Sequence, residues 1–382
     1  MSIRTTRLDR IELARQTVFE QGHALSSGQV EGWIERSWQR CLSAGHRPDT
    51  AVEFAQISSQ AMRRVEVENH DLIRAAKPIL DKLGRAIANT HYFAILTNND
   101  GYVIDVNGPI DHSDRRANLI TRIGVDLSEQ AIGTTAIGAA LREQHSVWMH
   151  RGEHFFNDNS AFSCAGSPLF GSDGRCIGML DLTGIHVPER PELKHLTAQS
   201  ARTIENALLL LQKHSLLLRI NWPGQALGED TDGLITLNTD GGVLGANHHA
   251  RAMVPQLMDL AHSSVHCSDL FAMPFSMLYD ASRRTHAVIE APLWSGLRLI
   301  TMVQRPENEG HTASMRTATQ NASSATGFGL RDMEAEVINK AITQARGNVA
   351  QAARALGISR ATMYRKLGNG KVISIKDKPP LN

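Results

Sequence analysis

The chain has 382 residues, with 40 Lys and Arg against 39 Asp and Glu, and 42% of its residues are hydrophobic. This length suggests two or three domains, and this composition excludes collagen-like, coiled-coil, disulfide-scaffold and largely disordered proteins. The near-neutral total hides an asymmetry, because residues 330–382 carry ten basic and four acidic residues while the rest is slightly acidic. Any contact with nucleic acid is therefore expected at the C-terminal end.

The four cysteines are scattered and form no CxxC pair, which indicates reduced thiols in a cytoplasmic protein. The N-terminal segment lacks the apolar core of a secretory signal. No apolar stretch approaches the ~20 residues needed to span a bilayer. We expect a cytoplasmic location and no membrane partner.

The first half of the chain predicts an α+β sandwich. Helical periods at residues 8–45 and 58–90 precede two β-rich runs that flank Asn98-Asn99-Asp100-Gly101, a strong hairpin signal. Further β-rich runs follow, and a helix over about 190–218 closes the unit. That helix is a candidate signalling or dimer helix, although its broken apolar register favours packing on its own sheet.

The second half predicts a smaller α+β domain and a linker. Residues 222–230 are rich in turn formers, and residues 233–254 then show strand, turn, strand and short helix. Residues 306–329 are polar and nearly devoid of large apolar residues, which predicts a flexible linker.

From residue 330 onward the pattern predicts three short helices. Gly347 suits the left-handed cap that ends the first helix, Asn348 suits the N-cap of the second, and Gly357 supplies the turn before the third. This arrangement is typical of a helix-turn-helix. A helical hairpin whose charges merely face water is the alternative, but small residues, a glycine turn and a basic last helix occur together and favour DNA binding.

In a major groove, the last helix would present its first residues to base edges. Arg360 and Arg365 have guanidinium groups that suit guanine, Thr362 offers a hydroxyl or methyl group, and Lys366 suits a phosphate. The candidate DNA-binding residues are Asn348, Ser359, Arg360, Thr362, Tyr364, Arg365 and Lys366.

Aromatic and polarizable residues concentrate in one strand-loop region of the first half. Such a set could line an effector cavity, since small-molecule sites are apolar clefts with a few polar groups. Ordinary core packing is the alternative for each of them. The candidate effector residues are Trp148, His154, Phe155, Phe156, Phe162 and Cys164.

Metal and enzyme sites are not indicated. His262, His266 and Cys267 have a spacing that could hold zinc, but a surface histidine cluster is the simpler interpretation, and we expect no metal or cofactor. The sequence has no GxSxG, phosphate-loop or zincin motif. Cys164 has no base partner evident in the sequence, although His154 could lie beside it in the fold.

The C-terminal segment NVAQAARALGISRATMYRKL also resembles the Fis-type DNA-binding module of bacterial enhancer-binding activators. The resemblance covers nearly all of residues 331–368. It implies DNA contacts by Ser359, Arg360, Thr362 and Arg365, and a dimer interface in the first helix of the module.

The first half, from Ser37 to about Leu211, is similar to the GAF sensor region of the acetoin- and glycerol-catabolism regulators in that group. The similarity rests on SWQRCLSAGHRPD, GVDLSEQAIGTTAIGAAL and GEHFFNDNSAFSCAGSPLFGSDGRCIGMLDLTG. It implies a small, partly apolar catabolic inducer. The stretch DGGVLGANHHA more weakly resembles a PAS-type repeat.

Together these features predict a multidomain α+β protein. The expected parts are an N-terminal helical segment (1–57), a GAF-like α/β sandwich (58–218), a PAS-like α+β domain (219–305), a flexible linker (306–329) and an all-α helix-turn-helix with a basic tail (330–382).

The enhancer-binding resemblance fails at one point. Such activators carry an ATPase between sensor and DNA-binding domain, but no GxxxxGK[ST] sequence is present, and only the predicted linker occupies that place. The expected function is therefore that of a dimeric transcriptional regulator, with activation of a catabolic pathway favoured over repression. Its expected partners are promoter DNA, a small organic effector and RNA polymerase. An accessory protein that heterodimerises with an ATPase-bearing sigma-54 activator, and an enzyme with a DNA tether, are the alternatives.

Overall fold

The computed structural model describes residues 6–23, 28–284 and 287–306, together with Val349, Gln351 and Ala353. The chain divides into two compact units, Met1–Pro306 and Glu307–Asn382. The three described positions of the second unit are helical. The predicted linker from residue 307 and the rest of the predicted helix-turn-helix lie outside the described residues. Among the described residues, no helix has the length and apolar character that crossing a membrane requires.

The N-terminal lead-in consists of two helices rather than one, since Gly22 and Gly28 between them adopt positive φ angles of 65° and 94°. Thr6 caps the first of these helices. The helices before the first strand are α1 (Arg7–Arg15), which continues into a π-helical turn (Gln16–Glu20), α2 (Gly32–Ser43), α3 (Ser59–Glu68) and α4 (His70–Ala86).

The first sheet is antiparallel, and its described strands lie in the order β2-β1-β5-β4-β3. The predicted hairpin is present: Asn98 Oδ1 accepts hydrogen bonds from the backbone N–H groups of Asp100 (3.1 Å) and Tyr102 (2.9 Å), and Gly101 has a φ of 91°. The strands are β1 (Tyr92–Asn98), β2 (Val103–Asn107), β3 (Val147–His150), β4 (Phe162–Phe170) and β5 (Cys176–Ile185). Between β2 and β3 lie α5 (Arg115–Ile120), α6 (Glu129–Ile132) and α7 (Ala136–Glu143).

Both faces of this sheet are covered. On one face Phe93 and Ile95 pack with Trp38 of α2 and with α7, and on the other Ala94 and Leu96 pack with α4 and with α8 (Leu193–Leu211). All seven residues of β1 are buried as a result. A strand covered on both faces carries a nearly continuous apolar run instead of a clean polar-apolar alternation.

The predicted helix over 190–218 is wrong at its C-terminal end. The helix α8 ends at Leu211, and Leu216–Asn221 forms the strand β6 of a second sheet. The leucines on both sides of this change make one apolar run, and periodicity alone does not separate a buried helix from a buried strand in such a run. The expected domain boundary at residue 218 falls inside β6.

The second sheet is also antiparallel, with its described strands in the order β8-β7-β6-β10-β9. Like the first sheet, it has five described strands. The central strand of the first sheet is β5, the last of its strands in the chain, whereas the central strand of the second sheet is β6, the first of its strands in the chain. The elements are β7 (Gly233–Leu237), β8 (Val243–Ala246), α9 (His248–Met253), α10 (Cys267–Leu270), α11 (Ser276–Ala281), β9 (Val288–Pro292) and β10 (Arg298–Gln304).

The two sheets are joined by hydrogen bonds as well as by the chain. The carbonyl of Ser172, in the turn between β4 and β5, accepts from the backbone N–H of Ala246 at 2.9 Å and from the Arg251 guanidinium at 3.2 Å. Asn247 Nδ2 donates to Asn206 Oδ1 of α8 at 2.8 Å. The second domain is thus attached to the last helix of the first.

Gly178 in β5 tests the close packing of the first sheet. A Cβ at this position would lie 2.2 Å from the carbonyl oxygen of Thr97 in β1. Gly178→Ala should therefore push the two strands apart and lower the free energy of unfolding by about 1–3 kcal/mol, measured from denaturant midpoints. The control is Gly32→Ala at the exposed start of α2, where the nearest atom is 3.7 Å away and we expect a change within about 0.5 kcal/mol. Equal midpoints for the two variants would contradict this account.

Candidate functional site

An internal cavity lies against one face of the first sheet. Its volume is about 30 Å³, which is room for one or two water molecules. Of the predicted effector residues, the cavity brings together His154, Phe162 and Cys164. Its full lining is Phe54, Ile95, Ile120, Leu127, Ile132, Thr135, Ala136, Ile137, His154, Asn159, Phe162, Cys164, Asp181 and Thr183.

The other three predicted residues lie elsewhere. Trp148 packs in the core on the opposite face of the sheet, because it alternates with Met149, which faces the cavity side. Phe155 and Phe156 pack against each other, and Phe155 also contacts Phe19 of the π-helical turn, with ring centroids 5.3 Å apart. These three aromatic residues belong to the cores.

Two polar atoms of the cavity lining have no hydrogen-bond partner among the described residues. One is Oδ1 of Asp181, whose Oδ2 accepts a hydrogen bond from the Thr183 hydroxyl. The other is Oδ1 of Asn159, whose Nδ2 donates to the carbonyl of Ile132 at 3.1 Å. Both side chains are almost fully buried. Buried polar atoms without partners are costly, so they mark a place where a bound molecule would gain hydrogen bonds.

Asp181 is the strongest of these groups. It lies in the middle of β5, and burial raises the pKa of its carboxyl to about 7, with the Thr183 hydrogen bond opposing the shift. A substantial fraction of the carboxyl groups is therefore neutral near pH 7. In its neutral form the group is both a hydrogen-bond donor and an acceptor.

Cys164 and His154 are neighbours in the cavity wall. The Cys164 Sγ lies 3.6 Å from Nε2 of His154 and 3.3 Å from the Thr183 hydroxyl. His154 Nδ1 lies 2.8 Å from the carbonyl of Arg151 and must donate to it, which leaves Nε2 of the neutral ring as an acceptor. Burial lowers the pKa of His154 to about 4 and raises that of Cys164 well above its usual value. The pair is neutral at pH 7.

The loop that carries His154 is fastened by the N-terminal helix. The Arg15 guanidinium donates to the carbonyls of Gly152 (2.9 Å), His154 (2.6 Å) and Phe155 (3.2 Å), and to the side chain of Asn157 (2.5 Å). Arginine has the several donors in one plane that such a set of acceptors requires. One wall of the cavity therefore depends on a residue far away in sequence.

Two histidines, His266 of the cluster considered for zinc and His150 of β3, have hydrogen-bond partners within the protein. His266 Nε2 lies 2.7 Å from the carbonyl of Asp240, and His150 Nδ1 lies 2.8 Å from the Ser163 hydroxyl. In the part of the chain that the structure describes, no group of three or more His, Cys, Asp or Glu side chains could hold a metal ion.

Sequence reasoning missed Asp181, Thr183 and Asn159. The available signal was the pair of polar residues two apart in the apolar strand CIGMLDLTG, which points both side chains to one face. The predicted DNA-binding residues all lie outside the described residues.

Two family profiles match the chain. The profile "MimR, N-terminal domain" matches residues 9–206, which is more than half of the chain. The chain belongs to this family. The profile "Bacterial regulatory protein, Fis family" matches residues 329–369, which confirms the Fis-type resemblance of the C-terminal segment.

Curated relatives of this MimR-family chain include transcriptional regulators. The acetoin catabolism regulatory protein of Cupriavidus necator is 28% identical over 256 residues, which cover 65% of this chain and 37% of the relative. The propane 2-monooxygenase operon transcriptional activator MimR of Mycolicibacterium smegmatis is 27% identical over 197 residues, 51% of this chain and 32% of the relative. The chain thus spans about a third of the length of these relatives.

Among solved structures, the chain is similar to the E. coli DhaR(N)-DhaL complex. The TM-score is 0.44 and the sequence identity 16%, over 71% of this chain and 99% of that one.

The pKa of Asp181 predicts how stability changes with pH. Its value is about 7 in the folded chain against 3.8 ordinarily, so its stabilising contribution is complete below about pH 4 and is lost as the pH rises through 7. Asp181→Asn does not ionise and should gain stability relative to the wild type as the pH rises from 4 to 7, by at most about 1.4 kcal/mol per pH unit. Denaturant midpoints at pH 5, 6, 7 and 8 measure this difference.

The opposite contribution of His154 is present in both proteins and cancels in the comparison. Asp49→Asn is the matched control, since Asp49 is exposed and should give a curve parallel to the wild type. Parallel curves for Asp181→Asn as well would show that the buried carboxyl does not hold its proton.

Proposed function

We propose that the chain is a DNA-binding transcriptional regulator, most simply an activator, of a catabolic operon. The observation that supports this most is the presence of a MimR N-terminal domain and a Fis-family domain in one chain, at residues 9–206 and 329–369. The relatives named for acetoin and propane 2-monooxygenase suggest that the operon serves the use of a small carbon compound.

In this proposal the first domain is a GAF-like sensor and the second a PAS-like domain. Support for the second comes from its layout, since a hairpin, a set of short helices and a second hairpin surround one central strand. The sensor extends from residue 58 to the end of α8 at Leu211, the PAS-like domain begins with β6 and extends to residue 305, the linker covers 306–329 and the DNA-binding domain 330–382.

The internal cavity is the proposed effector site. Its wall offers a neutral carboxylic acid on Asp181 and an unpaired amide oxygen on Asn159, surrounded by isoleucine and leucine side chains. A small neutral molecule with one hydroxyl and one carbonyl oxygen, such as a hydroxyketone, matches this set of groups. A charged effector does not suit it, because burial of an unpaired charge is far more costly than burial of a hydroxyl.

The small size of the cavity supplies a mechanism. With room for one or two waters, it must expand to hold a molecule of six heavy atoms. An effector therefore binds an expanded arrangement more tightly than the one described, and it shifts the population toward that arrangement. No residue of α8 lines the cavity, but Cys164 of β4 and Asp181 of β5 do, and α8 packs on the opposite face of these two strands. In this proposal the displacement therefore reaches α8 through β4 and β5, and passes from there to β6, the central strand of the second sheet.

The Cys164–His154 pair is assigned to binding, not to catalysis. A nucleophilic cysteine needs a thiolate, and the pair instead has a thiol whose pKa is raised and an imidazole whose pKa is lowered. We accordingly propose no enzymatic activity.

Regulation without a phosphate loop requires a direct mechanism. No GxxxxGK[ST] sequence lies between the two matched segments, so effector-biased DNA binding with contact to RNA polymerase in the cytoplasm replaces ATP-driven promoter opening. A dimer is proposed because one short recognition helix reads too few base pairs by itself. The same missing motif favours a second candidate, an accessory protein that heterodimerises with an ATPase-bearing activator.

Arg360→Ala tests the DNA-binding assignment. Purified full-length protein is mixed with genomic fragments at physiological salt, and the retained fragments are sequenced. We expect the wild type to enrich a short inverted repeat, and Arg360→Ala to lose about 1–3 kcal/mol of discrimination at one base position. The matched variant Lys366→Ala should weaken binding evenly across sequences and reduce its salt dependence. If the wild type enriches no sequence with or without effector, the accessory role replaces the regulator.

Asp181→Leu tests the effector site. Acetoin serves as the probe, and its affinity for the full chain is measured by calorimetry. We expect saturable binding to the wild type and a loss of roughly ten-fold or more in Asp181→Leu, since the variant keeps the apolar wall but removes the hydrogen-bonding group. Asp181→Asn should lie between the two, and Asp49→Leu on the surface should bind as the wild type does. Equal affinities for all four proteins would place the effector elsewhere.

A further inference from the structure

A groove, separate from the internal cavity, lies where the first sheet meets the second domain. Its volume is about 210 Å³, about seven times that of the internal cavity. It is bounded by residues 144–146, the end of β4, the middle of α8 and His248, the first residue of α9. None of its lining residues lines the internal cavity.

One side of the groove is apolar. Pro168 and Phe170 of β4 face Ala198 and Ala201 of α8, and the two small alanines leave the space open. The Phe170 ring stacks on the imidazole of His248, with centroids 5.9 Å apart and an interplanar angle of 22°. This contact joins the two domains at the wall of the groove.

The other side of the groove carries the positively charged guanidinium of Arg202. No carboxylate of the described residues lies within ion-pairing distance of the Arg202 guanidinium. The only carboxyl in the lining is Glu205, which is 6% exposed and accepts from the backbone N–H of Phe170 at 2.8 Å. Burial raises the pKa of Glu205 to about 7, so its charge only partly offsets that of Arg202.

A second titratable group, His248, borders the same groove. Burial lowers the pKa of His248, and the charges of Arg251 and Arg202 lower it further. The imidazole is thus neutral at pH 7, which leaves Arg202 as the positively charged group of the lining. An anion bound here would pair with that guanidinium.

We propose that this groove binds a small organic monocarboxylate, with the carboxylate on Arg202 and the hydrocarbon chain against Phe170 and the two alanines of α8. Guanidinium groups pair with carboxylates through two parallel hydrogen bonds, which orients the ligand as well as holding it. The volume suits an acid of about four carbons, and a neutral molecule would leave Arg202 unpaired.

Such a ligand would link the two domains. Its binding surface is complete only while His248 remains stacked on Phe170, so it stabilises the arrangement in which the second domain stays on the end of β4. The coupling is reciprocal: the factor by which the ligand favours the joined arrangement equals the factor by which separation of the two domains lowers the affinity for the ligand. This site works independently of the effector cavity and of the proposed promoter function.

Calorimetry on the full chain tests the proposal, with sodium butyrate as the probe and ionic strength held constant with NaCl. We expect one butyrate per chain and no binding of 1-butanol, which has the same chain without the charge. Arg202→Gln should weaken butyrate about ten-fold or more, and Arg202→Lys by less. His248→Ala should weaken it several-fold through loss of the stacked wall.

Arg116→Gln is the matched control, since Arg116 is exposed on α5 and lies outside the groove. It should bind butyrate as the wild type does, and so should Asp181→Asn, which separates this site from the effector cavity. Unchanged thermal unfolding of Arg202→Gln excludes a folding defect as the cause of its lost binding.

Three results would overturn the proposal. An equal loss of butyrate affinity in Arg116→Gln and Arg202→Gln would mean that butyrate responds to the net charge of the protein and not to this groove. Binding of inorganic phosphate in preference to butyrate would assign the groove to a different anion. No saturable binding of butyrate by the wild type would leave the groove without this ligand.

Discussion

Burial of β5 on both faces is the constraint on which the first domain depends. This strand pairs with β1 along one edge and with β4 along the other, and helices cover the sheet above and below. Such a strand has no route to water, so every polar group on it must be paired inside the protein or remain unsatisfied. Asp181 and Thr183 satisfy one another only in part.

The partly satisfied carboxyl explains the character of the cavity. A buried acid with a pKa near 7 is uncharged often enough to act as a donor, and the neutral Cys164–His154 pair beside it lacks the charge separation of a catalytic dyad. The same low-polarity surroundings favour the neutral form of each of these groups. The directions of these three pKa shifts describe a cavity wall of polar but weakly charged groups.

The connection from α8 to β6 gives the two domains a shared element. The helix covers one face of the first sheet and the strand forms the centre of the second, with only four residues between them. A shift of the helix therefore moves the strand on which the second sheet is built. Asn206 and Arg251 add hydrogen bonds across the same junction, and the groove lined by Arg202 and His248 lies beside it.

Much of this organisation was predictable from local sequence. The hairpin at Asn98–Gly101 follows from side-chain and glycine chemistry within four residues, and the Fis-type C-terminal segment was recognisable from its local sequence. The leucine run around residues 208–218 was not, because a buried helix and a buried strand can have the same apolar composition.

The sequence by itself thus determined the turn positions, the strand-rich and helix-rich segments and the type of DNA-binding module, since each of these depends on neighbours along the chain. The tertiary structure alone decided which aromatic residues face the cavity. Trp148 and Cys164 lie on adjacent paired strands yet on opposite faces of the sheet, and a shift of one residue in a strand exchanges its faces. With both faces buried, no polar-apolar alternation marks which face is which, so the cavity became visible only once the strands were paired.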